Sequence, residues 1–355
     1  MSADRFDIGR RKSDHLELCA TGDVSFHATS TLLSEVVFVH DALPELSVDE
    51  LDTSVTVLGK RLRLPLLIAG MTGGTPKAGE VNHRLAAISE ARGIAFGLGS
   101  QRAMWRRPDE LSTYAVRDVA PTTLLFGNLG LVQARELSTD EVAGLVAAVG
   151  ADALCVHMNP AMELVQPEGD RDFRGGEATF RRLVGELSVP VVAKETGCGI
   201  SPRAARRLHA AGVRAIDVSG AGGTSWVAVE TARAEGSKRR LGEALREWGV
   251  PTAASVVFAR RAGHDTVIAT GGVSTGMDVA RAISLGATLA GVARPMLRAL
   301  LEEGEDGVHR LIDDLEAELR AAMLLTGSRS LTELREADVL VGGALSAWLR
   351  VGREG

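Results

Sequence analysis

The stretch CVHMNPAMELVQPEGDRDF, residues 155–173, carries the densest set of side chains able to do chemistry. An apolar run from Ala153 to Val156 reads as a buried strand, and it delivers His157, Asn159 and Glu163 in quick succession. Glu163 is a hard oxygen ligand. One carboxylate with substrate phosphate oxygens and waters is the usual way to hold Mg2+. Glu168 and Asp170 follow in a polar stretch without helical or strand period and read as a loop bonding to itself. His157 reads either as a substrate contact or as a satisfied core histidine. Further along, GGVSTG (271–276) precedes an expected helix and reads as a phosphate site. Glycines let backbone N–H groups approach an anion, a helix N-terminus favours negative charge, and Arg294 can complete the site. Lys194 ends a run that is otherwise buried and needs an anion or a shifted pKa. A Schiff-base lysine, a cation facing an electron-rich ring and a salt bridge to Glu195 or Asp217 all remain open. Arg11, Lys12 and Arg102 are candidate diphosphate clamps, although a solvated basic arm is the commoner fate of a pair such as Arg11–Lys12.

These groups need a scaffold that brings distant segments together. Short, nearly continuous apolar runs begin at Leu66, Ile94, Thr123, Ala153, Pro190, Arg214, Thr266 and Thr288, each followed by a loop and a helical stretch. Runs buried on both faces imply a parallel sheet, and eight such units predict a closed (β/α)8 TIM barrel. An open doubly wound sheet would not need eight. The polar motifs all fall just after strand ends, where this fold carries its active site. The chain divides into an N-terminal arm and lid (1–63), the barrel (64–303) and a C-terminal helix and tail (304–355), in one domain. Val36–Val39 and Val55–Leu58 read as two short strands flanking a polar turn. Pro108 to about Val119 reads as a helix, and the stretch before Pro251 as a charged insertion.

Composition narrows the class. The chain has 355 residues, 45% hydrophobic, with 40 Lys+Arg against 46 Asp+Glu. A mildly acidic, aromatic-poor chain is no nucleic-acid surface. Its three cysteines, Cys19, Cys155 and Cys198, form no disulfide framework, which suits a reducing cytoplasm. No apolar run is long enough to span a bilayer.

Taken together, RKSDH (11–15), MTGG (71–74), GLGSQR (97–102), NLG (128–130), PEGDRDF (167–173), KETGCGIS (194–201) and DVSGAGGTSW (217–226) resemble the type 2, flavin-dependent isopentenyl-diphosphate isomerases. The resemblance runs over almost the whole chain. It implies an isomerase interconverting isopentenyl and dimethylallyl diphosphate, with FMN, Mg2+ and NADPH as reductant, assembled as a homotetramer or homo-octamer. By motif, Met71, Thr72, Gly73, Ser100, Asn128, Lys194, Ser219 and Thr224 match flavin contacts, and Gly271, Gly272, Ala293 and Arg294 match the FMN phosphate site. Arg11, Lys12, Ser100, Arg102, His157 and Asn159 match the diphosphate and substrate site, and Glu163 matches the metal ligand. Glu230 is either a proton reservoir or an exposed helix glutamate. The resemblance favours Lys194 as a cation near the flavin over a Schiff base. One position departs. The family pattern is close to HLNPLQE, whereas here it is HMNPAME, so a glutamine proposed to move protons is Met162. A thioether neither donates nor accepts a useful proton. Either the isomerase works without that amide, or the chain serves another prenyl diphosphate through isomerisation or proton-initiated cyclisation. A 2-hydroxy-acid flavin oxidase or a non-catalytic flavoprotein fits less well.

Overall fold

Strands with two apolar faces have no side to offer to water, and here they close on themselves. The structure is a computed structural model describing residues 14–352. Arg11 and Lys12 lie outside the described residues. In chain order the strands are β1 (Val36–Phe38), β2 (Val55–Val57), β3 (Lys60–Leu62), β4 (Leu66–Ile68), β5 (Ala95–Gly97), β6 (Leu125–Gly130), β7 (Ala153–Met158), β8 (Val191–Glu195), β9 (Ala215–Asp217), β10 (Thr266–Thr270), β11 (Leu289–Val292) and β12 (Val339–Val341). β4 to β11 form a closed barrel, each parallel to the next, and β11 closes on β4 with Ala290 opposite Leu66. The expected TIM barrel is therefore present.

Side chains alternate across each strand. Leu67, Ala95, Phe126, Ala153, Val192, Ile268 and Leu289 fill the barrel interior, and Val57 and Leu62 join them. The β2–β3 hairpin thus closes the bottom of the barrel. The opposite set, including Leu66, Ile68, Phe96, Leu125 and Ile216, packs under the outer helices. Fully burying such a side chain is worth about 1.5–3 kcal/mol.

The local sequence misleads in a few places. β1 and β2 do not pair with each other: β1 pairs with β12 in the tail, and β2 pairs with β3. Leu58 and Gly59 both have positive φ (48° and 83°), which makes the tight turn that a two-residue hairpin requires. The helix expected from Pro108 is a 3-10 segment, Pro108–Thr113, preceded by a short helix Arg102–Arg106. The stretch before Pro251 holds two helices, Trp226–Arg233 and Gly236–Leu245. The loop expected after the fourth strand begins with a short helix, Pro160–Val165. Six residues are too few for a 3.6-residue period to be visible. The long helix Arg294–Leu325 is interrupted at Gly304 (φ 72°, ψ −160°). No helix among the described residues is long and apolar enough to cross a membrane.

At the other end of the barrel, residues 24–31 of the arm lie over the strand-to-helix loops. The N–H groups of His27, Ala28 and Thr29 donate to the Glu247 carboxylate at 2.8, 3.1 and 2.7 Å. Ser225 N donates to Val24 O at 2.7 Å, and Phe26 N to Gly223 O at 3.1 Å.

At the base, Asp152 ties three elements. It accepts from Leu125 N at 2.8 Å, Lys60 Nζ at 2.7 Å and Arg117 at 2.7 Å. Burial disfavours its charged form, but these donors outweigh burial and hold its pKa below the usual carboxylate value. A depressed pKa contributes stability above the unfolded value, and that stability is lost as pH falls through the folded one. Asp152→Asn is expected to cost about 1.5–3 kcal/mol at neutral pH, the range for hydrogen bonds to a charged group. In urea unfolding, the gap between parent and variant should narrow as pH drops below about 4.

Candidate active site

A cavity of about 400 Å3 opens at the C-terminal ends of the barrel strands, lined by residues from all eight strand-to-helix connections and by the arm. The sequence motifs therefore converge because parallel strands all end on one face. β6, β7 and β8 run further than their apolar runs suggested, so Asn128, His157 and Lys194 belong to the strands themselves. Their directions are consequently fixed by the pleat rather than by loops.

Lys194 on β8 faces Asp217 on β9, its register partner, with Nζ to Oδ2 at 2.6 Å. Thr270 on β10 donates to the other carboxylate oxygen. Both charged side chains are buried (9% and 2% exposed). Burial pushes the Asp217 carboxyl up, and the Lys194 ammonium offsets this. A lysine paired with a buried carboxylate is a fixed cation and not a free amine, so the geometry selects the salt-bridge reading and leaves the positive charge at the cavity wall. Glu195, next along, is not its partner. Its carboxylate accepts the N–H groups of Thr196 and Cys198 at 2.6 and 2.5 Å and shapes the loop, although burial pushes its pKa up to about 8.

The glycine turn after β10 needs its residues. Gly271 and Gly272 have φ of 101° and 74°, and a Cβ on Gly272 would lie 2.4 Å from Thr31 and 2.8 Å from Gly222 O. The following helix, Gly276–Ser284, differs from expectation. Ser274 N and Thr275 N both donate to Asp278, and Met277 N donates to Glu318. That helix terminus is thus closed by carboxylates and is not the anion site. The N–H groups of Gly272 and Val273 have no acceptor among the described residues. Ala293 and Arg294, at the start of the next helix, complete this end of the cavity. The Arg294 guanidinium itself holds the arm, donating to Cys19 O, Ser25 Oγ and Gly22 O at 2.7–2.8 Å.

The opposite end is polar in a different way. Asn128 Nδ2 donates to Leu98 O at 3.0 Å, so its Oδ1 is the acceptor toward His157 Nδ1 at 2.8 Å. The proton therefore sits on Nδ1. A phosphate oxygen at Nε2 then calls for the imidazolium, in which both nitrogens donate. Asn159 Nδ2 donates to Glu163 Oε1, and Asp170 N to Glu163 Oε2, both at 2.8 Å. Asp170 thus fastens the loop through its backbone. No group of three potential metal-binding side chains exists among the described residues. Glu163 is a lone carboxylate at the cavity, which fits a cation shared with a ligand. Arg102 lines the cavity with no carboxylate partner among the described residues.

Glu230 is fully buried, which removes the exposed-glutamate reading. It does not line the cavity, but His15, which does, reaches it at 2.9 Å. Arg233 bonds Glu230 at 2.9 Å and Asp14 at 3.1 Å. His15 also stands edge-on to Trp226, with centroids 5.4 Å apart.

Met71, Thr72, Ser100, Ser219 and Thr224 line the cavity, as do Met162 and Glu163. Gly73 does not: a Cβ there would lie 2.1 Å from the Tyr114 ring, so it lets the loop pass that side chain. Sequence reading missed Asp217 as the partner chosen over Glu195, along with Thr270, Gln133, Gln166 and the pocket role of His15. Asp217 sits at a strand end opposite Lys194, a signal visible once strand register is known.

Comparison with known proteins bears on this arrangement. The FMN-dependent dehydrogenase family model matches residues 174–341. That span holds Lys194, the glycine turn and Arg294, and begins after the helix carrying Glu163. Mandelate oxidase bearing a monooxide FMN adduct superposes with a TM-score of 0.65 at 22% identity, covering 96% of this chain and all of that one, a likeness of fold. Fold and site define an FMN-binding (β/α)8 enzyme. Isopentenyl-diphosphate delta-isomerases from Nostoc sp. (44% identical, 96% of this chain and 97% of the relative) and Halobacterium salinarum (46%, 94% and 93%) match nearly end to end. Another, from Pyrococcus abyssi, is 41% identical over 96% of this chain. The chain belongs to the isopentenyl-diphosphate delta-isomerase family, in its flavin-dependent form, and is an isomerase.

The residues present fit FMN. Thr72 Oγ1 is buried at the cavity wall without a partner, a group that a ligand would satisfy. The free N–H groups of Gly272 and Val273 suit a phosphate. Thr72→Val keeps the shape and removes the orphan hydroxyl. It is expected to leave the apoprotein as stable or slightly more so, while weakening FMN by roughly 1 kcal/mol, about fivefold in Kd. Flavin fluorescence titration and melting of the apoprotein check both signs.

Proposed function

We propose that the protein interconverts isopentenyl and dimethylallyl diphosphate, using FMN kept reduced by NADPH, with Mg2+ shared between Glu163 and the diphosphate. The reading includes a homotetramer or homo-octamer working in the cytoplasm. The observation that carries it is Arg102, a cation lining the same cavity as His157, Asn159 and Glu163 and without a carboxylate partner among the described residues. Such a cluster recognises a diphosphate. Arg11 and Lys12 add charge from the arm.

The chain's own residues divide the work. Arg102, protonated His157 and Asn159 bind the diphosphate, and Glu163, held by Asn159 and Asp170, is positioned to accept the cation. The hydrocarbon then lies toward Met162 and Trp226, where the wall is apolar. A cationic species formed while a double bond moves would be trapped by water, so an apolar, covered site protects it. The arm helix, residues 14–21, supplies that cover through Leu16 and Cys19. Reduced FMN, when bound, supplies a positioned proton donor and acceptor and an electron-rich face. Lys194, locked to Asp217, holds positive charge at the wall and balances an anionic ring. Glu230 reaches the cavity through His15 and can hold a proton in reserve.

Met162 favours one second reading: action on a different prenyl diphosphate, because its thioether lines the cavity where the family pattern has an amide. One incubation separates the two. The protein, reduced anaerobically with Mg2+ in D2O, is expected to convert isopentenyl diphosphate into deuterated dimethylallyl diphosphate. No product and no label exchange with FMN bound would sink the isomerase reading. Turnover of geranyl diphosphate alone would establish the other. In the same assay, Glu163→Gln should raise the Mg2+ concentration needed for half-maximal rate about tenfold or more, with FMN binding unchanged.

A further inference from the structure

The amide absent at position 162 has a counterpart one helical turn away. Gln166 caps the helix Pro160–Val165, and its N–H donates to Met162 O at 3.0 Å, so the two side chains share one face. Both line the cavity. Gln166 is only 5% exposed, yet its side-chain amide makes no hydrogen bond among the described residues. Its backbone is fully engaged: the carbonyl accepts from Gly169 N at 3.2 Å and from Arg171 at 2.8 Å.

The other amides at the cavity are occupied. Asn128 bridges Leu98 O and His157, Gln133 donates to Asp170 at 3.1 Å, and Asn159 donates to Glu163. Met162 makes only a weak contact, its sulfur 3.7 Å from Asn159 Nδ2. An amide that reaches the cavity with no partner among the described residues is open to a ligand that supplies one. Glu163 turns back toward Asn159 and Asp170, whereas the side chains of Met162 and Gln166 are left lining the cavity.

We propose that Gln166 is a substrate-contacting residue whose amide oxygen faces the reacting carbons of the bound prenyl group and stabilises the positive charge that develops there, supplying the polar contact that Met162 lacks. This rests on the prenyl-diphosphate reading above. The amide oxygen faces positive charge developing on the hydrocarbon, and the NH2 group can donate to a neighbouring acceptor. No bond to Gln166 forms or breaks.

The test uses the reduced, Mg2+-loaded holoenzyme and isopentenyl diphosphate. Gln166→Met keeps length and volume and removes the amide. It is expected to lower kcat about 100-fold, the usual loss of one preorganised polar contact, with KM within about threefold. Met162→Gln in that background should restore at least about tenfold by returning an amide to the same face. Melting temperature separates a structural role: removing an unpartnered amide should leave the ligand-free protein unchanged or raised, and a fall of several degrees overturns the proposal. A kcat within about threefold of the parent also overturns it, as does a rise in KM alone, which would make the amide a diphosphate contact. If Gln166→Met does not retain FMN, Gln166→Asn, which shortens the same amide, is read by the same criteria. A parent that labels no prenyl diphosphate refutes the functional reading, while the melting comparison still reports whether Gln166 is structurally required.

Discussion

The active end of the barrel depends on one buried ion pair, Lys194 with Asp217. Taking two charges out of water is expensive, and the pair persists because strand register delivers them at 2.6 Å with Thr270 completing the carboxylate. Removing either partner would strand a charge inside the barrel. The pair joins β8, β9 and β10 across their ends, so the geometry of three neighbouring strands and the charge of the cavity wall are set together. Everything that approaches this wall meets a cation that cannot turn away.

Around that wall the cavity has two ends with different physics. At the glycine turn, backbone N–H groups without acceptors among the described residues are available, and the neighbouring helix terminus is closed by Asp278 and Glu318. At the β7 end, side chains take over: Asn128 sets the tautomer of His157, and Asn159 with Asp170 sets Glu163. The match to FMN-dependent dehydrogenases covers the first end and stops short of the second. The scaffold shared with that family thus carries a second end whose polar side chains are this chain's own. Arg294 couples the cavity to its cover, since it starts a helix beside the glycine turn while its guanidinium clamps the arm.

The cover is built as carefully as the floor. The β2–β3 hairpin and Asp152 seal the base, so the interior is a packed core and no channel. The arm seals the top through Glu247, Ser225 and Arg294. Its His15, which lines the cavity, meets the wholly buried Glu230, which Arg233 ties to Asp14 of the arm. Met162, on the short helix Pro160–Val165, and Gln166, which caps it, then present a thioether and an amide to the cavity.

How much of this was legible beforehand follows from the range of each interaction. The barrel could be read because two-faced burial writes continuous apolar runs, and the cavity because parallel strands end on one face: His157, Asn159, Glu163, Lys194 and the glycine turn all arrive where their positions after strands implied. What the sequence could not decide was pairing. Lys194 had two carboxylates within reach of argument, Glu195 and Asp217, and only register chose between them. β1 took its partner from the far end of the chain. Glu230 turned from a plausible surface residue into a buried one because the arm covers it, and Arg294 turned its guanidinium to the arm. The sequence by itself determined the architecture, the side of the barrel that reacts and the types of group present there. Only the tertiary structure decided which polar atoms satisfy one another and which, like those of Thr72 and Gln166, are left facing the cavity, because hydrogen-bond partners are chosen by distance in space and not along the chain.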